Sequence, residues 1–302
     1  MPNLITGGAG FIGSYLVDRL ALKDKSTIVI DDLSTGKYIN SRSRFIKFDL
    51  RRKINLKVPK EAGVFHLAAN PSVRTSMVDT AEHFDRDVKA TLNVLEMARK
   101  YDSSFIIFIS TSAVYGEADK VPTSESEMPK PISNYANFKL LCEDMIDFYS
   151  RNYGIKAASL RMANVVGKRS DHGIIPDFIK KLSNDAHNLE LLGNGTQKKS
   201  YIHVTDAVDA ILFMSRKATK KHNRINVGSN DCISVLDIAK IIESKLGVNP
   251  KHSFHDAGDG RGWPGDVKRM HLDISKIKKL GWSPKMDSRT AISKTVEEIL
   301  QK

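Results

Sequence analysis

Residues 5–20 read ITGGAGFIGSYLVDRL, and the order of features in that stretch decides the fold. A short apolar run enters a cluster of glycines, and the glycines open into a helical pattern of Ile12, Leu16 and Leu20 at four-residue steps. Gly8, Gly10 and Gly13 form a GxGxxG array between strand and helix, with Gly7 just ahead of them. Glycines so placed permit a tight turn, close approach of backbone to a pyrophosphate, and close packing of the helix on the strand. The helix N-terminus then faces the negative charge. The stretch therefore predicts a dinucleotide-binding strand–turn–helix.

Working outward, Asp31 and Asp32 end the second apolar run, about twenty residues on, where a carboxylate accepts the adenosine ribose hydroxyls. The same charge repels a 2′-phosphate, so NAD is favoured over NADP. After the third run, FDL offers Asp49 and Leu50 to the adenine edge. Six nearly all-apolar runs (PNLIT, STIVID, RFIKF, GVFHLA, SFIIFIS and KAASLRM) alternate with helical patterns, as strands of a parallel sheet covered on both faces do. Between the fourth and fifth, Phe84, Val88, Leu92 and Leu95 recur at three- to four-residue steps, with Asp79 and Glu82 placed as a capping box. That is the pattern of a doubly wound α/β (Rossmann) domain.

The second half is more mixed. YIHVTDAVDAILFMSRK reads as a strand end and a helix, SVLDIAKIIESKLG as a helix capped by Ser234 and stopped by Gly247, and the last helix starts near Asp287 or Ser288. We expect an NAD-binding domain over 1–165, joined by a strand and helix from about 201–230, and a smaller mixed α/β substrate domain over 166–302. VPTSESEMPKPIS reads as a loop.

Bulk properties narrow the class. The 302 residues are 41% hydrophobic and 27% charged, the balance of a soluble globular protein. No stretch approaches a membrane span of about 18 apolar residues, and the start lacks the pattern of a signal peptide. Cys142 and Cys232 stand ninety positions apart with no CxxC, so reduced thiols, no structural zinc and a cytoplasmic location are expected. The net charge of +12 is spread over short groups such as Arg51–Lys53, Lys180–Lys181 and Lys278–Lys279, which favours a solvated surface over a nucleic-acid face. His252 and His255 lie an odd number of residues apart on a strand-like run and point to opposite faces, so no metal site is expected there.

Tyr135 and Lys139 in SNYANFK have the spacing that puts two side chains on one helical face, a weak signal by itself. Its setting is stronger. TGGAGFIG, DDLSTGK, FDL, VFHLAA, DVKATLNVLE, ISTSAVYG, YANFK, RMANVVG and YIHVTDAVDA follow one another across nearly the whole chain. In this the sequence resembles the extended short-chain dehydrogenases/reductases, and among them the nucleotide-sugar epimerases and dehydratases, especially the UDP-glucose (galactose) 4-epimerase type. The resemblance implies bound NAD, held by Gly7, Gly10, Phe11, Ile12, Gly13, Asp31, Asp32, Ser34, Thr35, Gly36, Asp49, Leu50, Leu67, Ala68, Ala69, Tyr135 and Lys139. It makes Tyr135 the catalytic base, Lys139 its partner, and Thr111 the hydroxyl that meets the reacting sugar. A phenol with an ordinary pKa of about 10 needs a nearby cation to ionise usefully near neutral pH.

Departures from the resembled pattern refine the reading. Dehydratases of the group resemble one another in an Asp–Glu pair after the Thr, and the sugar-acid decarboxylases keep a Glu; here stand Ser112 and Ala113, and neither is an acid. Reversible oxidation at C4 remains, hence C4 epimerisation of a nucleotide-diphosphate sugar, a UDP-hexose, with NAD regenerated in place. Ser112, Asn164, Lys199, Arg261, Trp263 and Asp266 are the implied substrate contacts. Lys199 replaces a common Arg, and Trp263 in GRGWPGDVKRMHLD falls where a diphosphate-binding Arg is usual. Either Arg261 substitutes for it, or Trp263 stacks on base or sugar, or Trp263 packs in the core. Asp87 replaces a common Asn. The resemblance also implies a homodimer paired through two long helices. Two other readings stand beside this one: a net oxidoreductase or atypical dehydratase of a related sugar nucleotide, and a non-catalytic RNA-binding protein.

Overall fold

A computed structural model of the chain describes residues 2–22, 26–256, 260–263 and 265–301. The chain forms two compact units: Met1–Val114, Pro131–Met162 and Val208–Ile225 make the first, and Tyr115–Lys130, Ala163–Ala207 and Asn226–Lys302 the second.

The first half of the chain runs β1 (Asn3–Thr6), α1 (Phe11–Ala21), β2 (Thr27–Asp31), β3 (Arg44–Lys47), β4 (Gly63–His66), α2 (Val73–Ser76), α3 (Thr80–Phe84), a π-helical turn (Asp85–Lys89), α4 (Ala90–Lys100), β5 (Phe105–Thr111), α5 (Asn134–Tyr153) and β6 (Lys156–Met162). Then follow β7 (Asn164–Val166), α6 (Ile174–Asn184), β8 (Asn188–Leu192), β9 (Lys198–Lys199), β10 (Tyr201–His203), α7 (Val204–Ser215), β11 (Asn223–Val227), β12 (Ile233–Ser234), α8 (Val235–Leu246), β13 (Lys251–His255), β14 (Arg269–Met270), α9 (Ser275–Lys279) and α10 (Ser288–Leu300).

All six apolar runs are strands of one seven-stranded sheet in the order β11-β6-β5-β4-β1-β2-β3, with parallel ladders from β6 to β3. The order reverses at β1 and β4, which opens a crevice at their carboxyl ends, the place where doubly wound folds hold ligands. The core on one side of this sheet joins Leu4, Ile30, Val64, Ile106 and Phe108 to Val94, Leu95, Phe138 and Ile146.

Two helices bury a different face from the one their apolar spacing suggests. On α1 the buried stripe is Gly13, Leu16 and Val17, because a helix led by glycines lies close to the sheet along that line. Beyond α3 the π-turn adds a residue to the repeat and rotates the helix, so Val88 and Leu95 are buried while Phe84 and Leu92 stay exposed. Of the expected capping box only half forms. The Asp79 carboxylate accepts from the Glu82 N–H, but the Glu82 carboxylate is taken by Arg51 and Arg86 instead of reaching back.

In the second unit, β8 pairs with β13, β7 with β10, and β9 lies between β12 and β14. A separate core joins Phe178, Leu189, Leu191, Ile238, Ile242, Ile292 and Val296. Ser234 and Gly247 bound α8 as the sequence indicates, and Asp287 caps α10. Among the described residues no helix is long and apolar enough to cross a membrane.

Candidate active site

The glycine loop fits a dinucleotide on the evidence of its own packing. Gly7 has φ +70°, and a Cβ there would meet the Ala68 N at 2.5 Å; one on Gly8 would meet Val29 Cγ1 at 2.7 Å; one on Gly13 would collide with the Gly7 carbonyl. Gly10 differs. A Cβ there would meet only the Gly7 carbonyl, at 3.4 Å, so no packing demand makes this residue glycine. The space over Gly10 suits a pyrophosphate, beside the N–H groups of Phe11, Ile12 and Gly13 that α1 leaves without helical acceptors. Across the switch point, Leu67 donates its N–H to the Thr6 carbonyl at 3.0 Å, which sets Leu67, Ala68 and Ala69 against the loop.

Asp31 has backbone partners of its own. It is buried, its Oδ2 accepts from the Ala9 N–H at 3.0 Å and its Oδ1 from the Leu33 N–H at 2.8 Å, so it also fastens the glycine loop. Burial raises its proton affinity, and those two N–H groups oppose the rise. Asp32 accepts from Ser34 N–H and Oγ and from Arg86 Nη1, at 2.8, 2.6 and 3.2 Å. Burial works against ionisation there, but Ser34 and Arg86 hold the carboxyl below its usual range. Thr35 is exposed, while Gly36 is buried against Ala9 and Asp31. Asp49 is clasped by Arg51 with both oxygens, and Arg51 also grips Glu82. Buried Leu50 gives its carbonyl to Asn93 Nδ2. The long-range part of the Arg51–Glu82–Arg86 lock is invisible in the sequence, since Arg51 reaches Glu82 across 31 residues and Arg86 reaches Asp32 across 54.

The candidate catalytic residues gather at the carboxyl end of β5 and the start of α5. Ser133 caps α5, its hydroxyl accepting from the Ala136 N–H at 3.3 Å, which fixes Tyr135 in the first turn. The Thr111 side chain favours the ionised form of the Tyr135 phenol. Lys139, 3% exposed, donates to the Ile109 carbonyl at 2.9 Å, with its ammonium 4.7 Å from the Phe108 ring centroid and 6.0 Å from that of Tyr135. An ammonium has three donors, and among the described residues one is used here. Tyr135 holds its proton more tightly than a free phenol, from burial first and the negative charge of Asp87 second, with Thr111 opposing. Ser112 and Ala113 follow Thr111 in a single 3₁₀ turn.

In the second unit four of the implied substrate residues lie together. Lys199 Nζ lies 2.5 Å from Asp266 Oδ1 and 5.5 Å from the Trp263 ring centroid. Arg261 Nη1 donates to the Asp266 carbonyl at 2.9 Å and pairs with Glu117 at 3.1 Å. Asp266 thus neutralises Lys199, and the Trp263 ring lies against that lysine. Asn164 sits on β7, its N–H donating to the Ser200 carbonyl at 3.3 Å. His252 and His255 each face a glutamate, Glu243 at 2.7 Å and Glu190 at 3.3 Å.

A family model described as the NAD dependent epimerase/dehydratase family matches residues 3–228, three quarters of the chain. The chain belongs to that family. As an epimerase/dehydratase family member it is similar to a protein of Methanocaldococcus jannaschii described as a putative UDP-glucose 4-epimerase, 35% identical over 97% of this chain and 96% of the relative. A crystal structure of a UDP-galactose 4-epimerase superposes with TM-score 0.91 at 40% identity, covering all of this chain and 99% of the other. The UDP-glucose 4-epimerase of Thermus thermophilus, solved in complex with NAD, does so with TM-score 0.87 at 29% identity, covering all of this chain and 99% of the other. The dependence on NAD is thus a property of the family to which this epimerase/dehydratase chain belongs, and the glycine cradle described above is consistent with it.

Proposed function

We propose that the protein interconverts nucleotide-diphosphate sugars that differ at C4, of the UDP-glucose and UDP-galactose kind, through a 4-keto sugar. The observation that carries the reading is the set Thr111, Tyr135 and Lys139, joined at the end of β5 with Ser112 and Ala113 in place of acids. As phenolate, Tyr135 takes the proton of the C4 hydroxyl while Thr111, bonded to the same oxygen, orients that hydroxyl. Lys139 supplies the cation that favours the phenolate. Bound NAD supplies the hydride acceptor and donor for C4, so net redox is zero. When the ketone becomes an alcohol again, Tyr135 returns the proton, whichever face of the sugar is presented. Elimination of water would need an acid beside Thr111, and Ser112 and Ala113 offer none.

For the cofactor the reading assigns the Gly7–Gly13 loop, Asp31 and Asp32 with Ser34 to Gly36, Asp49 with Leu50, and Leu67 to Ala69. For the sugar and diphosphate it assigns Ser112, Asn164, Lys199, Arg261, Trp263 and Asp266. We assign 1–165, with the strand and helix near 201–230, to NAD, and 166–302 to the nucleotide sugar. We also infer a homodimer: Leu141 and Phe148, 41% and 49% exposed, lie two turns apart on one face of α5, and Phe84 and Leu92 add exposed apolar surface on α3 and α4. Free thiols at Cys142 and Cys232 suit a cytoplasmic protein.

Purified protein incubated with UDP-glucose is expected to yield a product of equal mass and different retention, and denaturation is expected to release NAD or NADH. A product lighter by one water, or no conversion of any UDP-hexose, overturns the reading. Tyr135→Phe is expected to lower turnover by roughly 10²–10⁴-fold with cofactor content unchanged. Near-normal rates would remove Tyr135 from its role.

A further inference from the structure

Asp87 lies on the inner side of the π-turn with its side chain 1% exposed. Its Oδ1 accepts from the Asn70 N–H at 3.1 Å. Its Oδ2 has no hydrogen-bond partner among the described residues, and 3.9 Å away the equally buried Nδ1 of His83 has none either. A buried carboxylate left half-satisfied is costly, so its charge calls for an explanation.

The turn that carries it is firmly placed. The Asp87 carbonyl accepts from Cys142 Sγ at 3.5 Å, three residues beyond Lys139 on α5, and from Thr91 Oγ1 at 2.6 Å. Because the single Thr91 proton goes to that carbonyl, the His66 Nε2–H must donate to Thr91 at 2.9 Å, and His66 Nδ1 then accepts from Thr6 Oγ1 at 2.7 Å. The π-turn is thereby tied both to α5 and to the strand that enters the glycine loop. His83 on α3 lies against the Asp87 carboxylate, and Arg86 on the turn with Tyr135, Lys139 and Cys142 on α5 are the titratable and charged groups within its electrostatic reach. Burial keeps His83 below the ordinary imidazole range, so it faces Asp87 as a neutral ring and not as an ion-pair partner.

We propose that Asp87 is a positioning residue that sets the pH at which Tyr135 becomes a base, its negative charge competing with the Tyr135 phenolate for the Lys139 ammonium. The inference rests on the reading of Tyr135 as the base. Burial lifts the Asp87 carboxyl to about 6, with Lys139, Asn70 and Arg86 opposing, so it is charged at neutral pH and adds to the pull of Tyr135 on its proton. Asp87→Asn keeps the acceptor for Asn70 and removes the charge, which leaves Lys139 to the phenolate. Loss of a charge at close quarters moves a midpoint by about one pH unit, or about tenfold in phenolate at a pH below it.

The test is a titration of holoenzyme labelled with ¹³C at tyrosine Cζ, with Tyr135→Phe identifying the resonance. In Asp87→Asn the Tyr135 midpoint is expected about one unit below wild type, and the acid limb of kcat/KM is expected to move with it. Equal midpoints in two proteins that both retain cofactor overturn the proposal. His83→Gln removes the facing ring and leaves the charge, so its midpoint stays with wild type; a shift as large as that of Asp87→Asn would assign the effect to packing and overturn the proposal. If Asp87→Asn loses cofactor, Asp87→Ser is read in the same way. A shifted midpoint without sugar turnover would reject the epimerase reading alone, and an unshifted midpoint with normal turnover would reject Asp87 alone.

Discussion

Gly7, Gly8 and Gly13 are glycines because protein atoms fill the place of a Cβ, whereas Gly10 meets no such demand and is assigned above to the cofactor. Substitution separates the two causes. Gly13→Ala drives a methyl into the Gly7 carbonyl and is expected to lower Tm and to strip the cofactor. Gly10→Ala, at φ −77° in extended backbone, is expected to change stability by less than about 1 kcal/mol while NAD content falls. Thermal melts beside cofactor release from denatured protein check both; a Gly10→Ala protein with full NAD content would refute the assignment of that space. The loop and Asp31 are legible in the sequence as local patterns of residue type and spacing, and the Tyr135–Lys139 pair only through the motifs that surround it. Asp87, Arg86 and Arg51 were not, because their meaning lies in contacts with residues distant along the chain, and Lys199 gave no sign that Asp266 would neutralise it.

At the scale of elements, α5 carries the proposed base and its lysine on its first turns and is anchored by a charge cluster below them. Glu143, one turn past Lys139, accepts from Arg161 at 2.7 and 3.0 Å, from Arg224 at 3.0 Å and from Ser110 at 2.6 Å. Arg161 is 1% exposed, so Glu143→Ala leaves a guanidinium buried without its counter-charge, a loss of about 3–5 kcal/mol. Denaturant unfolding is the measure, and a loss under about 1 kcal/mol would show that water or Asp144 compensates. The first six strands and most helices could be read from apolar periodicity, as α8 and α10 with their caps show. The π-turn could not, since it trades regular helical bonds for the packing of Asp87 and Val88. That trade is why Leu92, in phase with Phe84 on paper, does not join the buried stripe.

For the whole molecule, pH acts through rings that the fold keeps neutral. Burial, with the positive charge of Lys139, holds His66 at about 3, and burial, with Arg224, holds His222 at about 4, both far below the ordinary value. A depressed histidine makes the unfolded chain the better proton binder, so stability is whole above about pH 6.5 and falls as pH drops from there toward the folded values. Melts in steps from pH 8 to pH 5 are expected to show Tm declining before most carboxylates titrate, and a flat Tm over that range would mean that these rings find protons in the folded state.

The division of the chain carries a further consequence, for biosynthesis. The first unit is assembled from three separate stretches, Met1–Val114, Pro131–Met162 and Val208–Ile225, and its edge strand β11 ends at Val227. On a ribosome the sheet therefore waits, one edge open beside β6, until most of the second unit's early segments have already emerged. Nascent chains halted before and after β11 would differ in how readily that edge is attacked by protease, a vulnerability written into the order of translation.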